Sequence, residues 1–196
     1  MARVRVQQSR SLSPAEKADI KVAKAAAAET GSAADQLLGF GELGDQPTMA
    51  AASGAMIVCG LAFRDRRMTR AGVRMLAALG LATLLKSAVK NNIDRTRPGE
   101  VIDKQRYRLR PGESKQGHLR SMPSGHSAGA AAVLLAAARD YPSARVPLIG
   151  GAVAIAAAQL PSRNHFLTDV AAGLALGLLS EWLASNAVDQ FDQAIA

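Results

Sequence analysis

The stretch PSGHSAGAAAVLLAAA, residues 123–138, joins a polar turn to an uninterrupted apolar segment. Ser124 is suited to cap a helix there, because its side-chain oxygen can accept a hydrogen bond from a free N–H group of the first turn. Gly125 permits close approach of a ligand to the backbone, and the remaining free N–H groups favour an anion. His126 then lies within one turn of that anion, where an imidazole can protonate a leaving oxygen. An ordinary capped helix with an incidental histidine fits the same residues.

Five apolar runs organise the chain, and most are shorter than the roughly 20 residues that span a bilayer core. Each run alone therefore also fits a buried helix of a soluble bundle. Two features favour a membrane. The charged sequence Arg64 to Arg67 ends the first run abruptly, and Gly173 with Gly177 has the small-residue spacing that lets membrane helices pack closely. The runs are 48–63, 71–89, 127–138, 146–160 and 170–184.

Composition supports a helical fold. Hydrophobic residues make up 48% of the 196-residue chain but aromatic residues only 4%, whereas strands favour β-branched and aromatic side chains. We therefore predict an all-α fold, a membrane bundle of about five transmembrane helices. The net charge of +8 suits phosphates, lipid head groups or nucleic acid and does not choose among them. The single cysteine, Cys59, excludes an intramolecular disulfide.

The first 46 residues are predicted to be a polar arm with a short amphipathic helix, and no secretory signal is evident in them. Ser13-Pro14-Ala15-Glu16 has the pattern of a capping box, followed by a helix to about Glu29. Lys17, Lys21 and Lys24 share one face, which suits either an anionic lipid surface or water. Residues 47–186 are predicted to form the membrane domain and residues 187–196 a tail.

Two further polar clusters adjoin apolar runs. The sequence KNNIDRTRP, Lys90 to Pro98, places three cations after the second run, where they can bind phosphate or simply flank a membrane helix. His165 and Asp169 precede the last run, and residues four apart on a helix share a face. The carboxylate can then hold one ring nitrogen while the other attacks, although a surface pair has the same spacing.

The three clusters occur together and in a fixed order, and this combination resembles the PAP2 (type 2 phosphatidic acid phosphatase) and haloperoxidase superfamily. Lys90 to Pro98 matches its Lys-x6-Arg-Pro motif, and Pro123 to His126 matches its Pro-Ser-Gly-His motif. His165-x3-Asp169 matches the end of its third motif. The chain is most similar in size and organisation to the small bacterial-type membrane lipid phosphatases of this superfamily.

The resemblance implies a helical bundle in which Lys90, Arg97 and the backbone around Ser124 and Gly125 bind phosphate. It also implies roles for three residues: His165 as the nucleophile that forms a phosphohistidine, Asp169 as its orienting carboxylate, and His126 as the acid that protonates the leaving alcohol. No metal and no cofactor are expected.

One position departs from the family pattern. The third motif normally has an arginine six residues before its histidine, and this chain has Gln159 there. The nearest arginine is Arg163, two residues before His165. We expect Arg163 to bind the phosphate, with Gln159 as a neutral donor in the alternative.

The resemblance also implies the partners. The expected substrate is a lipid phosphate monoester or diphosphate similar to phosphatidic acid, phosphatidylglycerophosphate or isoprenyl diphosphate. The expected location is a bacterial inner membrane, and nucleic acid is not expected as a partner. The positive-inside rule favours a cytoplasmic site, whereas many relatives act on the outer face, so the side and the oligomeric state stay open. Two other functions are alternatives to a lipid phosphatase: a non-catalytic membrane or anion-binding helical protein, and a haloperoxidase-like enzyme.

Overall fold

The computed structural model describes residues 5–6, 12–28 and 31–194, and this part of the chain is mainly helical. The all-α prediction is confirmed. The helices are α1 (Pro14–Ala28), α2 (Ser32–Glu42), α3 (Gln46–Ala62), α4 (Arg66–Lys90), α5 (Pro98–Lys104), α6 (Gly125–Asp140), α7 (Arg145–Ala158) and α8 (Leu167–Ala194). The short strands are β1 (Arg5–Val6), β2 (Ile93–Arg95), β3 (Arg106–Tyr107) and β4 (Leu109–Pro111).

Helices α4, α6 and α8 form the centre of the bundle. Helix α3 packs on α4, α7 packs on α6, and α2 packs on α7. The core is rich in alanine, and Ala78, Ala130 and Ala136 are fully buried. Alanine-rich faces let helix axes approach closely, which explains how a chain with few aromatic residues fills its interior.

Two glycines of α8 allow a close contact with α6. A Cβ atom on Gly173 would lie 2.5 Å from the carbonyl oxygen of Ser124, and one on Gly177 would lie 2.5 Å from that of Ala128. Both distances are far below an ordinary van der Waals contact. The small-residue spacing seen in the sequence is therefore the contact at which α8 packs against α6.

The outer surface of the bundle is apolar, as expected for a membrane protein. Val58, Phe63, Leu84 and Val146 are each at least 65% exposed. Helices α4 and α8, with 25 and 28 residues, are long and apolar enough to cross a bilayer. Helices α3, α6 and α7 are shorter, and the count of about five spans stays a prediction.

Ion pairs of a buried arginine join the central helices at one end of the bundle. Arg74 of α4 is 2% exposed, and its Nε lies 3.0 Å from Asp140 Oδ2 at the end of α6. Its NH2 lies 2.6 Å from Asp189 Oδ1 in α8. Asp189 belongs to α8, which continues to Ala194, so this helix extends into residues 187–196, the segment predicted to be a tail.

The N-terminal helix α1 begins at the predicted capping box. The backbone N–H of Ser13 donates to Glu16 Oε2 at 2.7 Å, and the N–H of Glu16 donates to Ser13 Oγ at 3.2 Å. Lys17, Lys21 and Lys24 are exposed. The opposite face packs into a small apolar cluster that includes Ile20, Ala23, Val101, Tyr107 and Phe166.

The polar segment between α4 and α6 is ordered by hydrogen bonds. Strands β2 and β4 pair antiparallel, with Arg95 opposite Leu109. Asp94 Oδ1 accepts a hydrogen bond from the Ser114 N–H at 2.9 Å. This pairing holds the residues that follow α4 over the end of the bundle, next to the start of α6.

Candidate active site

The three sequence clusters meet at one end of the bundle. The Ser124 N–H, at the start of α6, donates to the carbonyl oxygen of Asp169 in α8 at 3.0 Å. Lys90 Nζ, at the end of α4, donates to the carbonyl oxygen of Arg120 at 3.0 Å. The structure therefore brings the three clusters together, through backbone groups and through the side chains of Arg95 and Arg97.

His165 lies in the loop before α8 and is only 5% exposed. Its Nδ1 lies 2.7 Å from the carbonyl oxygen of Ser121. A carbonyl can only accept, so Nδ1 carries the proton and Nε2 keeps a free lone pair. Burial, assisted by the positive charges of Lys90 and Arg97, lowers the pKa of His165 to about 3. The imidazole is thus neutral near pH 7, the form that can act as a nucleophile.

Asp169 is fully buried, but it does not bond to His165 as expected. Its Oδ1 accepts from Arg95 NH1 at 2.5 Å, and its Oδ2 accepts from the Ser121 hydroxyl and from the Phe166 N–H, the latter at 2.8 Å. The predicted direct contact is wrong because α8 begins at Leu167. His165 precedes the helix, so a spacing of four residues does not place the two side chains on one helical face.

Ser121 is the residue that joins Asp169 to His165. Its hydroxyl donates to Asp169 and its carbonyl oxygen accepts from His165. The side chain is fully buried. The sequence analysis did not single out Ser121, and its closeness to the Pro-Ser-Gly-His stretch was the only signal of a role.

Ser124 caps α6 as predicted. Its Oγ accepts from the Ser127 N–H at 3.3 Å and from the Ser127 hydroxyl at 2.9 Å. A Cβ atom on Gly125 would lie 3.3 Å from Lys86 Cδ and 3.5 Å from Lys86 Nζ, so Lys86 lies against the first turn of α6. Lys86 is thus a further cation near the helix start that the sequence analysis did not identify.

Arg97 brings a second strong positive charge to the same end of the bundle. Its NH1 donates to Asn164 Oδ1 at 2.8 Å, and Asn164 directly precedes His165. Its Nε is buried without a hydrogen-bond partner among the described residues. Burial lowers the pKa of Arg97, but a guanidinium stays charged at neutral pH. A neutral imidazole between fixed cations suits the binding of a phosphoryl group.

Arg95 is a further arginine near the site, and the sequence analysis assigned it no role. It is 2% exposed, and its NH2 lies 2.6 Å from Asp19 Oδ2 in α1. Its guanidinium carbon lies 4.6 Å from the centre of the Phe166 ring. Burial disfavours the charge, but Asp169 and Asp19 outweigh it and raise the pKa of Arg95. Arg95 is therefore a permanently charged element of the interior.

Arg163 and Gln159 are not placed as expected for phosphate ligands. The Arg163 guanidinium forms an ion pair with Asp103 of α5. Gln159 is 5% exposed, and its side-chain amide donates to the carbonyl oxygen of Ile155 at 3.3 Å. Gln159 faces α2, where a Cβ atom on Gly41 would lie 3.1 Å from its Nε2. Neither side chain forms a hydrogen bond with Lys90, Arg97 or His165 in the described part of the chain.

His126 lies in the first turn of α6, as predicted. Its Nε2 lies 3.8 Å from Asp45 Oδ1, and it has no hydrogen-bond partner among residues 12–28 and 31–194. The side chain is 27% exposed. An imidazole with an unbonded nitrogen, beside a carboxylate, can exchange protons with a bound substrate.

Metal-ligating residues do not gather at this site. In the described ranges, no group of three or more His, Cys, Asp or Glu side chains is arranged to hold a metal ion. Two buried carboxylates of this region, Asp169 and Asp19, are both bonded to Arg95.

The bundle brings cations, a neutral imidazole and free helix N–H groups to one end, a combination that suits the phosphoryl group of a phosphoric ester. A family model described as the PAP2 superfamily matches residues 71–192, which include most of α4, most of α8, the elements between them and all three motifs. The chain belongs to the PAP2 superfamily. Membership supports a membrane lipid phosphatase, a phosphoric ester hydrolase, at the level of the family.

A solved structure supports the same fold. The chain is similar to the crystal structure described as the first transmembrane PAP2 type phosphatidylglycerolphosphate phosphatase from Bacillus subtilis. The two chains are 22% identical, with a TM-score of 0.64, and the match covers 92% of this chain and 87% of the other. At this identity the likeness concerns the fold. No curated protein matches the chain.

Proposed function

We propose that the protein hydrolyses a lipid phosphate monoester or diphosphate through a phosphohistidine formed on His165. The observation that carries the proposal is the hydrogen bond from His165 Nδ1 to the Ser121 carbonyl oxygen, at 2.7 Å. It leaves Nε2 unprotonated in a buried, cationic site, which is the requirement for nucleophilic attack on phosphorus.

In the first step, Nε2 of His165 attacks the phosphorus atom, and the bond from phosphorus to the leaving oxygen breaks. Lys90, Arg97 and the free N–H groups at the start of α6, next to Ser124 and Gly125, neutralise the phosphoryl oxygens. Protonated His126 gives its proton to the leaving oxygen, so that the lipid departs as a neutral alcohol or, from a diphosphate, as a lipid monophosphate.

In the second step, water attacks the phosphohistidine. Neutral His126 accepts a proton from the water, the phosphorus–nitrogen bond breaks, and inorganic phosphate leaves. His165 returns to its neutral form and His126 is protonated again. Each group is restored, and the reaction consumes one water for each phosphate released. The scheme needs neither a metal nor another cofactor.

The substrate class follows from where these groups lie. The three motifs adjoin the ends of apolar helices, so a phosphate bound there is next to a surface that suits acyl or isoprenoid chains. Phosphatidic acid, phosphatidylglycerophosphate and isoprenyl diphosphates all present such a phosphate. Because the similar solved structure is described as a phosphatidylglycerolphosphate phosphatase, that lipid is the first to test. We propose a bacterial inner membrane as the location.

Release of inorganic phosphate from a panel of these lipids, by detergent-purified protein in excess EDTA, tests the mechanism. The key variant is His165→Asn, since the asparagine amide can still donate to the Ser121 carbonyl while Nε2 is removed. His118→Asn is the matched control, because this histidine is exposed. We expect activity in EDTA, its loss in His165→Asn, and its retention in His118→Asn. Full activity of His165→Asn contradicts the proposal.

The cationic residues form a second series in the same assay. Removing Lys90 or Arg97 by alanine substitution is expected to raise KM and lower kcat, because these charges face the phosphoryl group in both the ground and transition states. Arg163→Ala is expected to have a smaller effect, because Asp103 already neutralises its charge. An equal loss in all three variants would assign Arg163 to the phosphate site.

A further inference from the structure

Helix α1 carries buried acidic residues on the face that packs against the site. Asp19 is 3% exposed and Glu16 is 4% exposed, whereas Lys17 and Lys21 point outward. An ionised carboxylate is costly to bury unless it is paired and hydrogen-bonded. Helix α1 lies outside the residues that the family model matches, 71–192. Its charged contacts with the site therefore involve residues outside the three family motifs.

Asp19 is fully paired, and each of its partners belongs to the site. Its Oδ2 lies 2.6 Å from Arg95 NH2 and accepts from the Thr168 hydroxyl at 2.5 Å. Its Oδ1 accepts from the Thr168 N–H at 3.1 Å. Thr168 follows Leu167, the first residue of α8, so Asp19 also satisfies a free N–H group at the start of that helix.

Arg95 connects Asp19 to the residues around His165. Its NH2 bonds to Asp19, and its NH1 bonds to Thr168 Oγ1 at 2.6 Å and to Asp169 Oδ1 at 2.5 Å. The planar guanidinium therefore lies between two carboxylates and has few other orientations. Asp169 in turn holds Ser121, whose carbonyl oxygen accepts the hydrogen bond from His165.

We infer that Asp19 of the N-terminal helix is a positioning residue for the nucleophile, acting through Arg95, Asp169 and Ser121. It touches neither the substrate nor His165. This inference rests on the proposed function of His165. Without Asp19, Arg95 keeps only one of its two carboxylates, Asp169 can shift with it, and the hydrogen bond that sets the orientation of the imidazole is no longer held in place.

The variant Asp19→Asn tests this inference. The asparagine oxygen can still accept from the Thr168 N–H, but its NH2 group faces donors of Arg95 and Thr168. We expect kcat to fall about 10- to 100-fold, the range typical of misplaced catalytic groups, with KM nearly unchanged. Lys21→Gln, on the exposed face of α1, is the matched control and is expected to retain full activity. Thermal unfolding of each variant gives the folded fraction to which kcat is referred.

A second pair of variants separates positioning from a general loss of structure. Thr168→Val removes the hydroxyl between Asp19 and Arg95 and is expected to lower kcat, whereas Thr168→Ser keeps the hydroxyl and is expected to restore most of it. If Asp19→Asn and Thr168→Val both keep the wild-type kcat while His165→Asn is inactive, the inference is wrong and the proposed function stands. If His165→Asn is active, the proposed function fails first.

Discussion

The contact between α6 and α8 allows a prediction about both stability and activity. A Cβ atom on Gly173 would lie 2.5 Å from the carbonyl oxygen of Ser124, so Gly173→Ala forces backbone to move by about 0.9 Å to reach ordinary contact at 3.4 Å. Ser124 cannot move alone, because its N–H is bonded to Asp169. The start of α6 and the loop that holds His165 must therefore shift relative to each other.

The size of the effect follows from two opposing terms. Overpacking of this kind destabilises the folded state by about 1–3 kcal/mol. Replacing a helical glycine with alanine stabilises it by up to about 1 kcal/mol, because alanine has the higher helix propensity. We expect Gly173→Ala to lower the free energy of unfolding by about 1–2 kcal/mol. The loss of activity is expected to be larger, up to about 100-fold in kcat, because a displacement near 1 Å misaligns reacting groups.

Two alanine variants serve as controls. Gly177→Ala creates an equal overlap, 2.5 Å from the carbonyl oxygen of Ala128, but one turn farther from the site. Gly150, in α7, has no atom within 4 Å of the added Cβ. We expect Gly177→Ala to lose stability with a smaller loss of kcat per folded molecule, and Gly150→Ala to be neutral or slightly stabilised.

Thermal unfolding in detergent and phosphate release per folded molecule are the two measurements. The same kcat in Gly173→Ala and Gly177→Ala would refute the reasoning, because it would show that the position of Ser124 relative to α8 does not affect catalysis. Wild-type stability in both variants would show that α6 and α8 can separate at little cost.

Two further predictions concern protonation and the far end of the bundle. Because the pKa of His165 is about 3 when folded and near 6.5 when unfolded, the unfolded chain binds more protons between these values. The free energy of unfolding is therefore expected to fall as pH decreases from 6.5 towards 3. Unfolding measured at a series of pH values should show a weaker pH dependence for His165→Asn than for the wild type. The same pH dependence in both proteins would contradict this prediction. Arg74→Met removes the buried one of the two arginines that bond Asp140 and leaves this carboxylate paired only with the half-exposed Arg70, so it is expected to cost about 3 kcal/mol. Since Arg74 lies roughly 24 Å from Lys90 along α4, kcat per folded molecule should not change. Arg70→Met, which removes a half-exposed partner of Asp140, is the control and should cost about 1 kcal/mol or less.

Local features of the sequence were sufficient for much of the fold. The capping box at Ser13 and Glu16 and the cap at Ser124 involve residues three apart, and the structure confirms both. Such contacts depend on neighbouring residues alone, so they can be predicted without knowing the tertiary fold. The glycines of α8 were recognised in the same way, from a spacing that only helical geometry requires.

The contact between His165 and Asp169 shows where local reasoning fails. The spacing of four residues predicts a shared face only if both residues are helical. Helix α8 begins at Leu167, so His165 lies outside the helix and bonds to the Ser121 carbonyl oxygen instead of to Asp169. Helix starts are uncertain by one or two residues from sequence, and here that difference changes the partner of the candidate nucleophile.

By itself, the sequence determined the helical class, the apolar runs, the helix caps and three polar clusters whose order points to a phosphatase. Only the tertiary structure decided how these clusters are connected. The ion pair between Asp19 and Arg95 joins residues 76 positions apart, and the hydrogen bond between His165 and Ser121 joins residues 44 apart. Contacts at such separations depend on how whole helices pack, so they cannot be predicted from the local periodicity of the sequence.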